Sequence, residues 1–181
     1  PEFSPDGGLI AYRSERDGGG IYLVPALGGE ERLLVRGGRL PRFSPDGKYV
    51  AYTVGSTNWL IRSKIYVIPV GGGTPRELAA DSPWAAWPVF SADGRYVLFE
   101  RADGPDYTKY HDWWVVPVSG GPSVKTGAYE ILANQLKIPL HNFGGVTPEL
   151  LEGKARFTAG GRIFELDLAG PDWKAHGPAR P

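Results

Sequence analysis

Hydrophobic positions in this chain fall into short runs that are bounded by glycine, proline or charged residues. Aromatic and β-branched residues dominate the runs, which favours β-strands over helices. The runs come in pairs, and a proline closes the second run of each pair, as expected at a strand end because proline cannot donate to a strand ladder. The paired runs lie at residues 9–12 and 21–24, 49–52 and 65–68, and 96–99 and 113–116.

A five-residue phrase precedes each pair of runs. It reads FSPDG at residues 3–7 and 43–47 and FSADG at residues 90–94, and a Gly-Gly pair follows three residues after each closing proline. The phenylalanines that open the phrase, Phe3, Phe43 and Phe90, lie 40 and 47 residues apart. Self-similarity at this period is typical of solenoids, propellers and other repeat arrays.

Each repeat also has room for a short first strand, as at residues 42–44, and for a short fourth strand, as at residues 32–34 and 76–78. Four short antiparallel strands per repeat form the blade of a β-propeller. The sequence therefore predicts an all-β protein, a β-propeller of four-stranded antiparallel blades, with about four blades present as part of a larger ring. The approximate blades are 1–39, 40–87, 88–136 and 137–181. The last is degenerate because no FSPDG precedes it, and residues 127–153 are either an insertion or a worn blade.

The repeated phrase itself has the residue order of a type I turn. Serine, proline, aspartate and glycine are each favoured at their respective positions in such a turn. One carboxylate per copy is a poor metal-ligand set, so the phrase is interpreted as architecture and no metal or cofactor is expected. The predicted structural turn residues are Asp6, Gly7, Asp46, Gly47, Asp93 and Gly94.

With these motifs, residues 1–122 resemble the TolB-type, WD-repeat-like β-propeller family, whose repeat combines F-S-P-D-G, two strands and a glycine turn. The resemblance implies a binding platform without shared catalytic residues, a protein or peptide partner, and further blades or domains of the same chain. Relatives include the TolB component of the cell envelope and propellers attached to winged-helix regulators or Ser/Thr kinases. An extracytoplasmic, periplasmic location is favoured on this ground, with a cytoplasmic one left open.

Net charge, the length of the apolar runs and the absence of known motifs argue against several classes of function. Twenty basic and twenty acidic residues give zero formal charge, so nothing favours nucleic acid as a partner. No apolar run is long enough to cross a bilayer, so membrane contact by this segment is not expected. The hydrolase, metalloprotease and nucleotide-binding motifs are also missing, and the segment is therefore predicted not to be an enzyme.

Loop lengths point to one face of the predicted propeller. From the repeat phenylalanine to the closing proline the chain takes 22, 26 and 27 residues, whereas the spacing from proline to Gly-Gly is constant. The variation therefore falls on the loops between the second and third strands, which share a face with the linkers into the next blade. Binding residues collect on such loops. The candidate ligand-binding residues in these loops are Arg16, Trp59, Arg62, Tyr107, Tyr110 and His111, and one entry linker adds Trp84 and Trp87.

The alternative for these residues is structural. They would then be ordinary solvated loop residues, with Trp84 and Trp87 packing between blades and His111 a surface or turn residue. For the face as a whole we favour binding. The first functional hypothesis is a noncatalytic propeller that serves as the sensor or protein-docking region of a larger bacterial protein. The alternative is the substrate-gating propeller of a prolyl-oligopeptidase-like serine hydrolase.

Overall fold

A computed structural model describes residues 1–55, 62–103, 111–136, 148–169 and 172–181. These residues are almost entirely strands, with one α-helix, α1 (Ala128–Leu136). None of the helical structure in these ranges is both long and apolar enough to cross a bilayer. The strands in chain order are β1 (Glu2–Phe3), β2 (Leu9–Ser14), β3 (Gly20–Pro25), β4 (Arg32–Arg36), β5 (Gly38–Phe43), β6 (Tyr49–Gly55), β7 (Ser63–Pro69), β8 (Arg76–Leu78), β9 (Trp84–Phe90), β10 (Tyr96–Ala102), β11 (His111–Pro117), β12 (Val124–Lys125), β13 (Glu149–Leu151), β14 (Lys154–Ala159), β15 (Arg162–Ala169) and β16 (Lys174–Arg180).

The strands form four separate sheets of four antiparallel strands each, taken in sequence order. Sheet 1 contains β1–β4, sheet 2 β5–β8, sheet 3 β9–β12 and sheet 4 β13–β16. The predicted fold class, an all-β propeller of four-stranded antiparallel blades, is confirmed. The closing prolines have a common place in this register, since Pro25, Pro69 and Pro117 lie opposite the first residue of the second strand.

The four sheets pack face to face in chain order. Three hydrophobic clusters lie between sheets 1 and 2, sheets 2 and 3, and sheets 3 and 4. The first strands of successive sheets are neighbours, so they form the inner edge of the stack. We call the side of a sheet that points to the preceding sheet its rear face, and the side that points to the following sheet its forward face.

The repeated FSPDG phrase forms a closed turn in each of the first three sheets. In the first copy the Gly7 N–H donates to the Ser4 carbonyl at 2.8 Å, while Asp6 Oδ1 accepts from Ser4 Oγ at 2.6 Å and from the Gly8 N–H at 2.9 Å. The Ser4 and Gly8 bonds hold the pKa of Asp6 below its usual range. The glycine has a φ of 71°, which a side chain disfavours.

The same bonds recur around Asp46 and Asp93, with glycine φ values of 69° and 70° at Gly47 and Gly94. The serine and backbone donors lower the pKa of Asp46 as well, and they lower that of Asp93 to about 2.

The helix α1 precedes sheet 4 and lies within residues 127–153, which the sequence left as either an insertion or a worn blade. It begins shortly after β12, where Thr126 Oγ1 accepts from the Ala128 N–H at 3.2 Å. At its other end Gln135 pairs with the backbone of β16, donating to the Ala179 carbonyl at 2.6 Å and accepting from the Ala179 N–H at 2.7 Å. The helix therefore connects sheet 3 to the outer strand of sheet 4.

Candidate binding face

Strand direction defines the candidate face. The second strand of each of the first three sheets ends at the same edge of the stack, at Ser14, Gly55 and Ala102. The linkers into the next sheet leave from this edge as well, because the fourth strand runs parallel to the second. We call this edge the variable-loop face. Of the predicted binding residues, Trp59, Tyr107 and Tyr110 lie outside the described part of the chain.

Arg16, the first predicted binding residue, is exposed in a short 3₁₀ turn, Arg16–Gly18. Its side chain folds back onto sheet 1, with the guanidinium 5.1 Å from the ring centre of Tyr22 and an ion pair to Glu31. The neighbouring Arg13 donates to the Gly38 carbonyl at 2.6 Å. The cations of this first loop thus already have partners within sheet 1 and its linker.

The two predicted tryptophans lie in strand β9 rather than in a linker, which corrects the sequence-based placement. Trp84 is buried and Trp87 is half-buried, with their ring centres 5.5 Å apart in an edge-to-face arrangement. Trp84 packs against His111 on β11, at 5.2 Å between ring centres. These contacts bury Trp84 within sheet 3, whereas the alternative drawn from the sequence was packing between blades.

The prediction that His111 is a surface or turn residue is wrong. His111 is buried at the start of β11, and its Nδ1 faces the buried carboxylate of Glu100 on β10. The Tyr129 hydroxyl on α1 donates to the same carboxylate at 2.6 Å. The physical reason is the pairing of β10 with β11, which brings a charged partner next to the imidazole.

Asp112, the residue after His111, forms hydrogen bonds to the start of α1. Its Oδ1 accepts from the backbone N–H groups of Trp113 at 2.8 Å and Tyr129 at 3.3 Å, and from the Thr126 hydroxyl at 3.3 Å. Burial of this carboxyl raises its pKa, against the effect of these donors. The two polar residues at the start of β11 therefore attach the helix to sheet 3.

Two bulges alter the first strands near the variable-loop face. Leu40 and Trp87 each precede a proline, have φ values of 53° and 52°, and lie where the register of the first strand shifts against the second. Non-glycine residues with positive φ are strained and cluster at functional sites. Leu40 was missed from the sequence, although Leu-Pro-Arg-Phe and Trp-Pro-Val-Phe at the two sites are the signal that could have identified it.

The remaining described candidate, Arg62, is exposed immediately before β7. The described ranges contain no group of three or more His, Cys, Asp or Glu side chains placed to hold a metal ion. The described part of the face therefore offers aromatic side chains on a strand with a positive-φ residue, with a buried polar network behind them.

The opposite edge of the stack has a cleft that sequence reasoning missed. It has a volume of about 640 Å³ and lies between the third repeat turn and sheet 4. Tyr96 and Trp173 form one wall, with ring centres 4.9 Å apart, and Asp93, Arg95 and Glu152 supply charges. The cleft is lined in part by the FSADG turn, so it belongs to the edge of the stack opposite the variable-loop face. A partner could be tested against either edge.

Two curated proteins are similar to this chain in sequence. The uncharacterized protein Atu1656 of Agrobacterium fabrum is 29% identical over 153 residues, covering 70% of this chain and 50% of its own length. The uncharacterized peptidase YuxL of Bacillus subtilis is 25% identical over 156 residues, covering 64% of this chain and 24% of its own length. The chain thus spans half or less of each relative. No family model matches it.

Solved structures resemble the whole stack. A structure from Agrobacterium tumefaciens assigned to TolB superposes with a TM-score of 0.68 at 21% identity, over 98% of this chain and 62% of that one. TolB from Acinetobacter baumannii gives 0.61 at 15% identity, over 96% and 43%. A prolyl endopeptidase gives 0.57 at 18% identity, over 98% and 28%. The chain therefore has the TolB-like β-propeller fold that its repeated phrase predicts.

Proposed function

We propose that this chain is a noncatalytic binding module that docks a protein or peptide through its variable-loop face, as the sensor or docking region of a larger protein. The observation that carries the proposal is the difference between the two edges of the stack. The edge with the repeat turns has the same spacing and the same turn bonds in three sheets, whereas loop length varies only at the other edge. Surfaces that differ between otherwise equal repeats are where specificity resides.

Trp87 is the best described anchor for such a partner. It is half-buried and held by the Trp84 ring, which in turn packs on His111. A rigid aromatic side chain loses little conformational entropy on binding, and Trp and Arg are among the residues that most often dominate binding energy. Arg62 supplies an exposed cation at the same edge.

The test compares matched variants of the two edges in the full-length protein. One variant combines Trp87→Ala with Arg62→Ala, and a second adds Trp59→Ala, Tyr107→Ala and Tyr110→Ala. The control combines Lys48→Ala and Thr74→Ala, both exposed near the repeat turns. Each is used as bait in a quantitative pulldown from the source organism, and the captured partner is then titrated by calorimetry.

We expect the first two variants to weaken binding by about 2 kcal/mol or more if one residue is a hot spot. The control should bind like the unmodified protein and keep its melting temperature, and circular dichroism should show that the other variants remain folded at the assay temperature. Equal binding by the control and by the two variable-loop variants would contradict the assignment to the variable-loop face.

A second candidate function follows from the likeness to a peptidase and to a prolyl endopeptidase. In that case the propeller would control substrate access to a serine hydrolase domain elsewhere in the polypeptide. A fluorophosphonate probe that labels the full-length protein, at a serine outside these 181 residues, would support this candidate. An unlabelled protein with a DNA-binding or kinase domain beside the propeller would support the first. The extracytoplasmic location stays a prediction.

A further inference from the structure

The repeat turns pack on one another along their edge of the stack, which we call the repeat-turn edge. Between sheets 1 and 2 the Pro5 ring lies 3.7 Å from the position that a Cβ of Gly47 would take, and between sheets 2 and 3 the Pro45 ring lies 3.6 Å from that of Gly94. Each proline thus projects forward from its sheet onto the glycine of the next turn. The groove between the first two turns has a volume of about 360 Å³.

The junction between sheets 3 and 4 departs from this pattern in three ways. The third phrase has Ala92 where the others have proline, and sheet 4 joins its first two strands through Glu152 and Gly153 alone. Sheets 1–3 join their third and fourth strands through a Gly-Gly turn, whereas sheet 4 places Trp173 in that connection. Apart from its chain neighbours, no described atom lies within 4 Å of the Cβ position of Gly153. The three departures meet at the cleft of about 640 Å³.

The aromatic side chains of this cleft are held in place before any ligand binds. The Ala175 N–H donates to the Thr126 carbonyl at 2.8 Å, so the strand that follows Trp173 is attached to the end of sheet 3. The Trp173 and Tyr96 rings meet at an angle of 61°, and both side chains are half-buried. They form an aromatic corner, and the face of an aromatic ring attracts a cation.

One carboxylate of the cleft has no cationic partner. The oxygens of Asp93 already accept from Ser91 Oγ, from the Arg95 N–H and from Arg95 Nε. Glu152 is exposed in the turn of sheet 4, and it forms no ion pair with any other described residue. Because Asp93 and Arg95 neutralise each other, Glu152 leaves the described lining of the cleft with one net negative charge.

These groups favour an organic cation over other classes of ligand. An anion would meet the Glu152 carboxylate and a guanidinium that is already paired. A sugar would need several polar groups with unused hydrogen-bonding capacity, but Ser91 and Asp93 use theirs within the turn. An ammonium or guanidinium group, by contrast, can contact a ring face and a carboxylate together. The volume lies within the range of about 300–1,000 Å³ that small-molecule sites have.

We propose that the cleft between sheets 3 and 4 binds an organic cation, an ammonium or guanidinium group on an apolar stem. The corner formed by Tyr96 and Trp173 contacts the stem, and the Glu152 carboxylate pairs with the charge. A free amine or guanidine and the arginine or lysine side chain of a peptide share this chemistry. The site is separate from the variable-loop face and does not depend on the partner proposed there.

Calorimetric titration of the full-length protein with butylguanidinium tests the proposal. Butylurea is the matched neutral probe, because it has a similar shape without the charge. A blocked tripeptide, acetyl-Gly-Arg-Gly-amide, distinguishes the two sources of the cation. Binding of the tripeptide at least as tight as that of butylguanidinium would support a peptide side chain, and exclusion of the tripeptide would support a free cation.

Substitutions in the cleft should change the affinity for butylguanidinium in defined directions. Trp173→Ala should weaken binding by about fivefold or more, and Glu152→Gln by about 2–5-fold. Ala92→Pro restores the proline of the other turns and should weaken binding as well, because the ring occupies space that the stem needs. Arg95→Gln should tighten binding, because it removes a positive charge. Glu130→Gln, an exposed carboxylate on α1, is the control and should change nothing.

Circular dichroism establishes that each variant is folded, and Ala92→Pro and Glu152→Gln carry the test if Trp173→Ala is not. Saturable binding of butylguanidinium but not of butylurea, weakened by these two substitutions, is the expected result. Equal binding of the two probes, no saturable binding of butylguanidinium or the tripeptide, or an unchanged affinity in Ala92→Pro would overturn the cation site. Weaker binding in Arg95→Gln would also overturn it, since an anion site would respond in that way.

Discussion

Replacement of Asp93 by alanine tests whether the hydrogen bonds of the repeat turn stabilise the fold. Asp93 accepts from Ser91 Oγ at 2.6 Å, from the Arg95 N–H at 3.0 Å and from Arg95 Nε at 2.7 Å. A net hydrogen bond contributes about 0.5–1.5 kcal/mol, and the exposed Arg95 ion pair adds little. Asp93→Ala should therefore lower the free energy of unfolding by about 1–2 kcal/mol. For a domain of this size, each kcal/mol corresponds to a decrease of ~2–4 °C in Tm.

Acid provides an independent check on the same residue. The pKa of Asp93 is about 2, lowered first by the Ser91 hydroxyl, whereas an unperturbed aspartate has 3.8. Because the folded pKa is the lower one, this stabilisation is fully present above pH 3.8 and is lost as the pH falls through the folded value. The difference between the native protein and Asp93→Ala should accordingly shrink between about pH 4 and pH 2.

Urea unfolding followed by tryptophan fluorescence at pH 7, 4 and 2.5 measures both effects. Asp93→Asn is the matched control, because it keeps an acceptor oxygen but cannot titrate. At pH 7, Asp93→Asn should lower the free energy of unfolding by less than Asp93→Ala does. Because asparagine does not titrate, the Asp93→Asn variant should not lose the stabilisation that the native protein loses as Asp93 becomes protonated. Identical urea midpoints for the native protein and Asp93→Ala at pH 7, or a difference that persists unchanged at pH 2.5, would refute the turn account.

Further substitutions test other parts of the fold. Asp46→Ala should cost about 1 kcal/mol in urea unfolding and leave partner binding unchanged, since it removes the same turn bonds; loss of binding at an unchanged Tm would contradict this. Tyr129→Phe should cost about 1–3 kcal/mol in thermal unfolding, because it removes a donor from the buried Glu100 carboxylate; an unchanged Tm would show that the network does not hold α1. Gly20→Ala should lower the Tm measured by circular dichroism, because its Cβ would lie 2.5 Å from the Val35 carbonyl oxygen; a neutral result would contradict the close strand approach.

The repeat made most of the fold predictable. Apolar runs, closing prolines and the FSPDG phrase placed the second and third strands, and β8 begins and ends where the sequence indicated a fourth strand. Sheet 4 was harder to recognise because Leu151-Glu152-Gly153 stands where the other sheets have the repeat phrase. The helix α1 was ambiguous because its anchors, Asp112 and Ala179, are distant in sequence.

The candidate site was less predictable than the fold. Loop lengths identified the face, but the burial of His111 depends on Glu100 and Tyr129, which only strand pairing and the helix bring near it. Likewise, the positive φ of Leu40 and Trp87 comes from a shift in register rather than from local preference. Positions set by tertiary contacts of this kind carry no periodic signal in a single sequence.

If a protein or peptide partner covers the variable-loop face, the cover will be visible in hydrogen exchange of the full-length protein measured with and without the captured partner. Backbone amides in residues 54–64, 79–87 and 100–112 should exchange more slowly in the complex. Amides of the repeat turns at residues 44–49 and 91–96 should be unchanged. Slower exchange at residues 91–96, around the Tyr96 and Trp173 cleft, with no change at residues 79–87, would instead place the partner at the opposite edge of the stack.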